Sequence, residues 1–153
     1  MKIEYLADYL ELVPIVAGWQ HAQFGYLTPS ATLEDRTERL LRSLQKDALP
    51  LALIALLSKK IVGSANILPT TITHKHLTPW LSSVYVSRDH RGKGIASALS
   101  LRAVEEAAKL KYDRLYLFTP HSEKLYARIG WTTFERIDHN GLSLALMERQ
   151  TAP

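Results

Sequence analysis

Residues 84–97 run Val84-Tyr85-Val86-Ser87-Arg88-Asp89-His90-Arg91-Gly92-Lys93-Gly94-Ile95-Ala96-Ser97, a strand-like triplet handing over through two glycines to a helix-like run. A helix that starts there presents unpaired backbone N–H groups at its N-terminus, and such groups bind an anion, with a diphosphate well suited to them. Gly92 and Gly94 allow close backbone approach and unusual dihedrals, and Ala96 keeps the next turn narrow. Arg91 and Lys93 add positive charge. Two glycines also mark ordinary strand-to-helix turns, and the motif by itself leaves that reading open. Other phosphate motifs fit poorly. There is no Gly-Lys-Ser/Thr ending of a nucleoside triphosphate loop, and the dinucleotide fingerprint lacks both its third glycine and its downstream acidic ribose ligand.

Positioning such a turn requires a strand before it and a helix after it, and the pattern supplies both. Residues 80 to 86 are strand-like, and 94 to 111 carry a helical period in which Arg102, Glu105, Glu106 and Lys109 share about 100° of arc. Upstream, residues 2 to 6 predict a short strand. Residues 10 to 24 predict a helix with Pro14 in its first turn, and Thr32 caps a helix running to about residue 47. The apolar runs 51 to 57 and 61 to 67, turned by Ser58-Lys59-Lys60, predict a hairpin. A looser stretch, 69 to 79, holds two prolines and two histidines. Downstream come a strand at 115 to 118 and a short helix at 122 to 129. A final pair of strands at 131 to 137 and 142 to 148 is turned by Asp138-His139-Asn140-Gly141. Antiparallel strands early and strand-helix-strand units late make a mixed sheet with helices on both faces the natural solution.

With 153 residues, 46% hydrophobic and 22% charged, the chain fits one globular domain over 1–153. It has no cysteine, which excludes a disulfide framework, a thiol nucleophile and a thiolate metal site, and no metal centre is expected. The net charge of +4 is small, and its basic residues are mixed with acidic ones, as in Glu34-Asp35-Arg36-Thr37-Glu38-Arg39. That stretch reads as a solvated helix face, so nucleic acid is not an expected partner. The first residues lack a signal-peptide layout and no window approaches about 20 apolar residues, so the expected location is cytoplasmic, with no membrane partner.

The segment Arg91-Gly92-Lys93-Gly94-Ile95-Ala96 resembles the coenzyme A signature of the GNAT superfamily of N-acetyltransferases, Gln/Arg-x-x-Gly-x-Gly/Ala, with Val84-Tyr85-Val86 where that family's central strand lies. About thirty residues on, Leu125-Tyr126-Ala127-Arg128-Ile129-Gly130-Trp131 is similar to the family's short helix followed by Gly-Phe, with Trp131 for the usual aromatic. The element order agrees over roughly residues 2 to 148. The resemblance implies a mixed α/β fold with a splayed central sheet of six to seven strands and helices on both faces. It implies acetyl-CoA as the cofactor, held by Val84, Tyr85, Val86, Arg91, Gly92, Lys93, Gly94, Ile95, Ala96, Ser97 and Thr119. The pantetheine arm would pair with the backbone of Val84 and Val86 as an added half-strand, and a backbone N–H nearby would stabilise the oxyanion.

The implied reaction is acetyl transfer to a primary amine, of a small molecule or a peptide, by direct attack in a ternary complex. Tyr126 matches the family's general acid, a phenol able to protonate the leaving thiolate; as residues alone, Tyr126 with Leu125 and Ile129 could simply pack a helix on the sheet. Many relatives carry a carboxylate base on the central strand where this chain has Ser82 and Ser83. That departure turns the search for a base to a water chain or to His21, His74 or His76. At Thr119 relatives often have an Asn, whose two-ended amide pattern a hydroxyl cannot offer. The acceptor site is expected between the first two helices and the 69 to 79 loop, with Trp19, His21, Tyr26, His74 and His76 as walls. A homodimer is left open. The rival reading is a non-catalytic acyl-CoA-binding regulatory module, supported by the missing strand carboxylate and opposed by Tyr126.

Overall fold

The computed structural model describes residues 1–152. The apolar runs form the middle of a seven-stranded sheet in the order β1-β2-β3-β4-β5-β7-β6, with strands β1 (Lys2–Tyr5), β2 (Leu51–Leu57), β3 (Lys60–Leu68), β4 (Trp80–Val86), β5 (Arg114–Thr119), β6 (Thr132–His139) and β7 (Leu142–Gln150). Every pairing is antiparallel except β4 with β5. Residues 51–56 and 61–67 are buried without alternation because both sheet faces are covered. One face packs on helix α3 (Ile95–Lys109) through Leu53, Val62, Leu99, Ala103 and Leu117. The other packs on helix α1 (Val13–Phe24) and helix α2 (Leu33–Leu41) through Val16, Leu40, Ile54 and Ile61. Each fully covered Leu or Ile contributes about 1.5–3 kcal/mol from burial.

Local chemistry sets the boundaries. Thr32 and Asp35 form a reciprocal capping box at the start of α2. The helix ends at Leu41 rather than near 47, because the chain leaves it to pair with the sheet: Leu44 bridges Leu51, and Ala52 N–H donates to the Ser43 carbonyl at 3.1 Å. Ser58 and Lys59 sit at φ +50° and +68° and make the β2–β3 turn as a pair, so Lys60 belongs to the strand. Asn140 and Gly141, at +52° and +81°, do the same between β6 and β7, which extends β6 through Asp138 and His139.

Two charged residues are buried, and the second, Arg36, lies in the stretch expected to be a solvated helix face. Glu106 on α3 is 1% exposed, because β1 lies against the helix there: Tyr5 Oη donates to its carboxylate at 2.6 Å, and Arg102 and Lys109 complete the cluster at 2.9 and 3.2 Å. On α2, Arg36 is also buried. Its Nε donates to His21 Nδ1 and its Nη2 donates to the Thr28 carbonyl and hydroxyl, all at 3.0 Å, tying α2 to α1 and the connection between them.

Candidate active-site cleft

β4 and β5 meet at one register pair, Trp80 with Tyr116, backed by Tyr116 N–H donating to the Pro79 carbonyl at 3.0 Å. Beyond it they part. On its other edge β4 carries a bulge: Ser64 faces Tyr85 while Asn66 faces Ser82, so β4 has one residue more than β3 over this step. Ser83 takes up the difference with φ +55°. Such a bulge bends and twists its strand. The result is a sheet split along its length, with a cleft of about 630 Å³ lined by residues 81–86 of β4, by Leu117, Phe118 and Thr119 of β5, and by the start of α3.

The glycine turn closes one end of the cleft. Gly92 and Gly94 have φ of +77° and +80°, the left-handed region that favours glycine, and Gly94 is the N-cap of α3 with no side chain capping the helix. The N–H groups of the first turn therefore have no capping side chain. A Cβ built on either glycine meets nothing within 4 Å, so the backbone angle is what demands glycine, and the space over the turn is open. Arg91 Nε donates to the Val86 carbonyl at 3.0 Å and its guanidinium lies 5.6 Å from the Tyr85 ring. Tyr85 in turn packs on Trp19 at 4.9 Å. Val84, Tyr85, Val86, Arg91, Gly92, Gly94, Ile95, Ala96, Ser97 and Thr119 all line the cleft, whereas Lys93 is exposed and does not.

Opposite, helix α4 (Glu123–Arg128) brings Tyr126 into the cleft wall at 7% exposure, its ring edge-on to Trp131. Burial pushes its phenol up to about 12, against a smaller pull from the Ser100 hydroxyl. Thr119 Oγ1 accepts from Ser122 N–H at 2.9 Å, which shapes the entry to α4 and leaves its own proton to be donated. Glu123 anchors the helix to β6 through Thr133 and Arg136, and that ion pair holds its carboxyl below the usual range.

The histidines named from the sequence stand apart. His21 Nδ1 accepts from Arg36; His74 pairs with Glu135 of β6 at 2.9 Å and stacks near His76 at 5.6 Å. None of the three lines the cleft, and Trp19 braces Tyr85 from outside its wall. The two histidines that do line it, His90 and His121, follow no spacing that would single them out, and His90 Nδ1 is engaged with Ser87 Oγ at 2.8 Å. No Asp or Glu is among the lining residues.

A second cavity, of about 500 Å³, adjoins the first and shares Phe24, Leu27, Ser82, Ser83 and Phe118 with it. It lies between α1, α2 and the 69–79 loop, and Thr70, Thr71 and Ile72 supply that loop's wall. His74 and His76 do not reach it, His74 being held toward β6 by Glu135. Ser82 and Ser83, with hydroxyls 3.3 Å apart, stand where the two cavities join.

The same fold is found in known proteins. An aminoglycoside 6'-N-acetyltransferase solved in complex with coenzyme A superposes with a TM-score of 0.79 at 13% identity, over 100% of this chain and 98% of that one. A ribosomal-protein-alanine N-acetyltransferase from Brucella melitensis gives 0.74 at 21% identity, over 98% and 99%. In sequence, the uncharacterised N-acetyltransferase YjgM of Escherichia coli K12 is 33% identical over 84 residues, 52% of this chain; the match spans about half, 48%, of that protein's own length. Residues 15–131, from α1 through the glycine turn to Trp131, match the sequence profile of the acetyltransferase (GNAT) family, and the chain belongs to that family.

Proposed function

We propose that this chain is an acetyl-CoA-dependent N-acyltransferase that moves an acetyl group to a primary amine by direct attack in a ternary complex. One observation carries the reading: the cleft between the parted strands has an uncapped helix N-terminus at one end and a buried, protonated tyrosine in its wall. The residues present fit the cofactor. The turn at Arg91–Gly94 offers free N–H groups, positive charge and open space to a pyrophosphate, and the cleft edge of β4 offers backbone groups to an extended amide chain. Acetyl-CoA bound there supplies an acetyl thioester with a thiolate leaving group.

Backbone N–H groups around the Ser83 bulge stabilise the carbonyl oxygen as it gains charge. Tyr126 holds its proton across the physiological range and delivers it, or a hydrogen bond, to the departing sulfur. Ser82 and Ser83 stand between the two cavities and relay the amine's proton outward, a role for hydroxyls in a site whose lining has no carboxylate. The amine enters through the second cavity. A cytoplasmic location goes with this reading; among the described residues no helix is long and apolar enough to cross a membrane.

The same lack of a lining carboxylate is what a non-catalytic acyl-CoA-binding module would show. Release of CoA thiol from acetyl-CoA in the presence of a panel of amines and peptides separates the two. Amine-dependent release supports the transferase; CoA binding with no release from any acceptor favours the module.

A further inference from the structure

Three arginines and no acidic residue line the second cavity. Arg36, Arg39 and Arg42 follow one another at intervals of three along α2 and its C-cap, which places them within about 120° of arc. Arg102, Arg114 and Arg136 each hold a carboxylate within 3 Å, while among the described residues Arg88, Arg91, Arg128 and Arg149 hold none within 4 Å. Among the described residues, Arg36, Arg39 and Arg42 have no such partner within 4 Å, although Asp35 adjoins Arg36 in sequence and is committed to the Thr32 cap. Arg36 is only 8% exposed, and its bonds to His21 and Thr28 use Nε and Nη2, leaving Nη1 without a protein partner. Burial, and next the charge of Arg39, lower the Arg36 pKa against a smaller opposing pull from Asp35, and a bound anion would act in the same sense as Asp35.

We propose that the acceptor amine belongs to a small molecule that also carries an oxyanion, a carboxylate or a phosphate-type group, held in the second cavity by Arg36, Arg39 and Arg42. The inference rests on the transferase reading above and narrows its substrate. A cavity of about 500 Å³ suits a small molecule, and guanidinium groups match planar carboxylates and phosphate oxygens with paired hydrogen bonds. Phe24, Leu27, Ile72 and Phe118 give the rest of the acceptor an apolar wall. Polycationic acceptors are disfavoured by the same charges.

The test measures CoA-thiol release with matched acceptors: α-amino acids against their carboxamides, an aminoalkylphosphonate against the alkylamine lacking the phosphonate, and an aminoglycoside. The anionic member of at least one pair is expected to exceed its neutral twin about tenfold or more in kcat/KM, the scale of one charge-assisted hydrogen bond. Preference among the amino acids assigns the group as a carboxylate, and preference for the phosphonate assigns it as phosphate-type. Arg39 and Arg42 are exposed, so the double variant Arg39→Gln, Arg42→Gln folds. It should cut that preference about tenfold or more through the acceptor KM, while the Kd of CoA and the kcat/KM of the neutral twin stay within a few fold. Neutral twins used as well as the anionic ones, a preference for the aminoglycoside, or a preference that survives the double substitution each overturns the proposal and leaves the transferase standing. CoA binding with no turnover in any arm contradicts the transferase reading itself, and this inference falls with it.

Discussion

At the scale of single residues, Tyr126 carries the sharpest claim. Tyr126→Phe removes one oxygen and keeps nearly all the packing against Trp131 and the core, so stability should hardly change. If the phenol assists the leaving sulfur, kcat should fall about a hundredfold while the affinity for acetyl-CoA stays within a few fold. The deficit should shrink with an acyl donor whose thiol is more acidic. Because burial raises the phenol to about 12 from an ordinary value of 10.0, its ionisation opposes folding: the stability linked to it is intact below pH 10 and is lost as pH rises toward 12. The pH–rate profile should accordingly show no loss of rate from phenol ionisation below about pH 10. Near-normal turnover in Tyr126→Phe would reduce the residue to packing. The place of Tyr126 in the cleft wall was legible through one short motif, and that of the turn residues through another. The histidines were not, since a residue type says nothing of its partner: His21 faces Arg36 and His74 faces Glu135, contacts 15 and 61 residues apart along the chain. Arg36 was misread for the same reason, its charge suggesting solvent while His21 and Thr28 bury it.

At the scale of elements, α3 makes two demands. Its N-terminus must stay open and left-handed at Gly94. Gly94→Glu should fold with a loss of about 1–2 kcal/mol from the forced positive φ, and should bind CoA at least a hundredfold more weakly because a carboxylate faces the anion site. Gly94→Asn, which tolerates that φ and adds no charge, should retain far more affinity by calorimetry; equal losses in the two variants would make the bulk of the added side chain, and not its charge, the cause. Its middle must stay tied to β1 through Glu106. Burial would raise that carboxyl, but hydrogen bonds from Tyr5, Arg102 and Lys109 prevail and hold it below the usual carboxylate range. A depressed pKa stabilises the fold above the ordinary value of 4.5 and loses that effect as pH falls through the folded value. Glu106→Gln should cost about 2 kcal/mol in urea unfolding at neutral pH, with the gap from the parent closing as pH falls below the ordinary value of 4.5 and through the lower folded value. A constant gap across pH would show that charge plays no part. Element types and order were legible from the continuous apolar runs, as in residues 51–57, and from the helical period of residues 94–111. The end of α2 was not, because Leu44 leaves the helix for a bridge to Leu51 that no local pattern announces.

At the scale of the whole molecule, the proposed function depends on a sheet that splits at one register pair while both faces stay packed. Composition and periodicity could predict a mixed sheet, but the parting of β4 from β5 follows from a tertiary register and a bulge at Ser83, and came into view beforehand only through family resemblance. A ligand that fills this split must bind the native state alone and stabilise it. CoA at about a hundred times its dissociation constant should add roughly 2.7 kcal/mol to unfolding, while NAD and ATP at equal concentrations add little. A clear rise in melting temperature with NAD and none with CoA would contradict the assignment of the cleft. The most direct measurement is amide hydrogen exchange with and without CoA. The account predicts new protection concentrated in residues 82–86 and 91–97, the edge of β4 and the start of α3, with little change in β1 and in the hairpin of β2 with β3. CoA binding that leaves both of those segments unprotected would place the site elsewhere on the molecule and contradict the account.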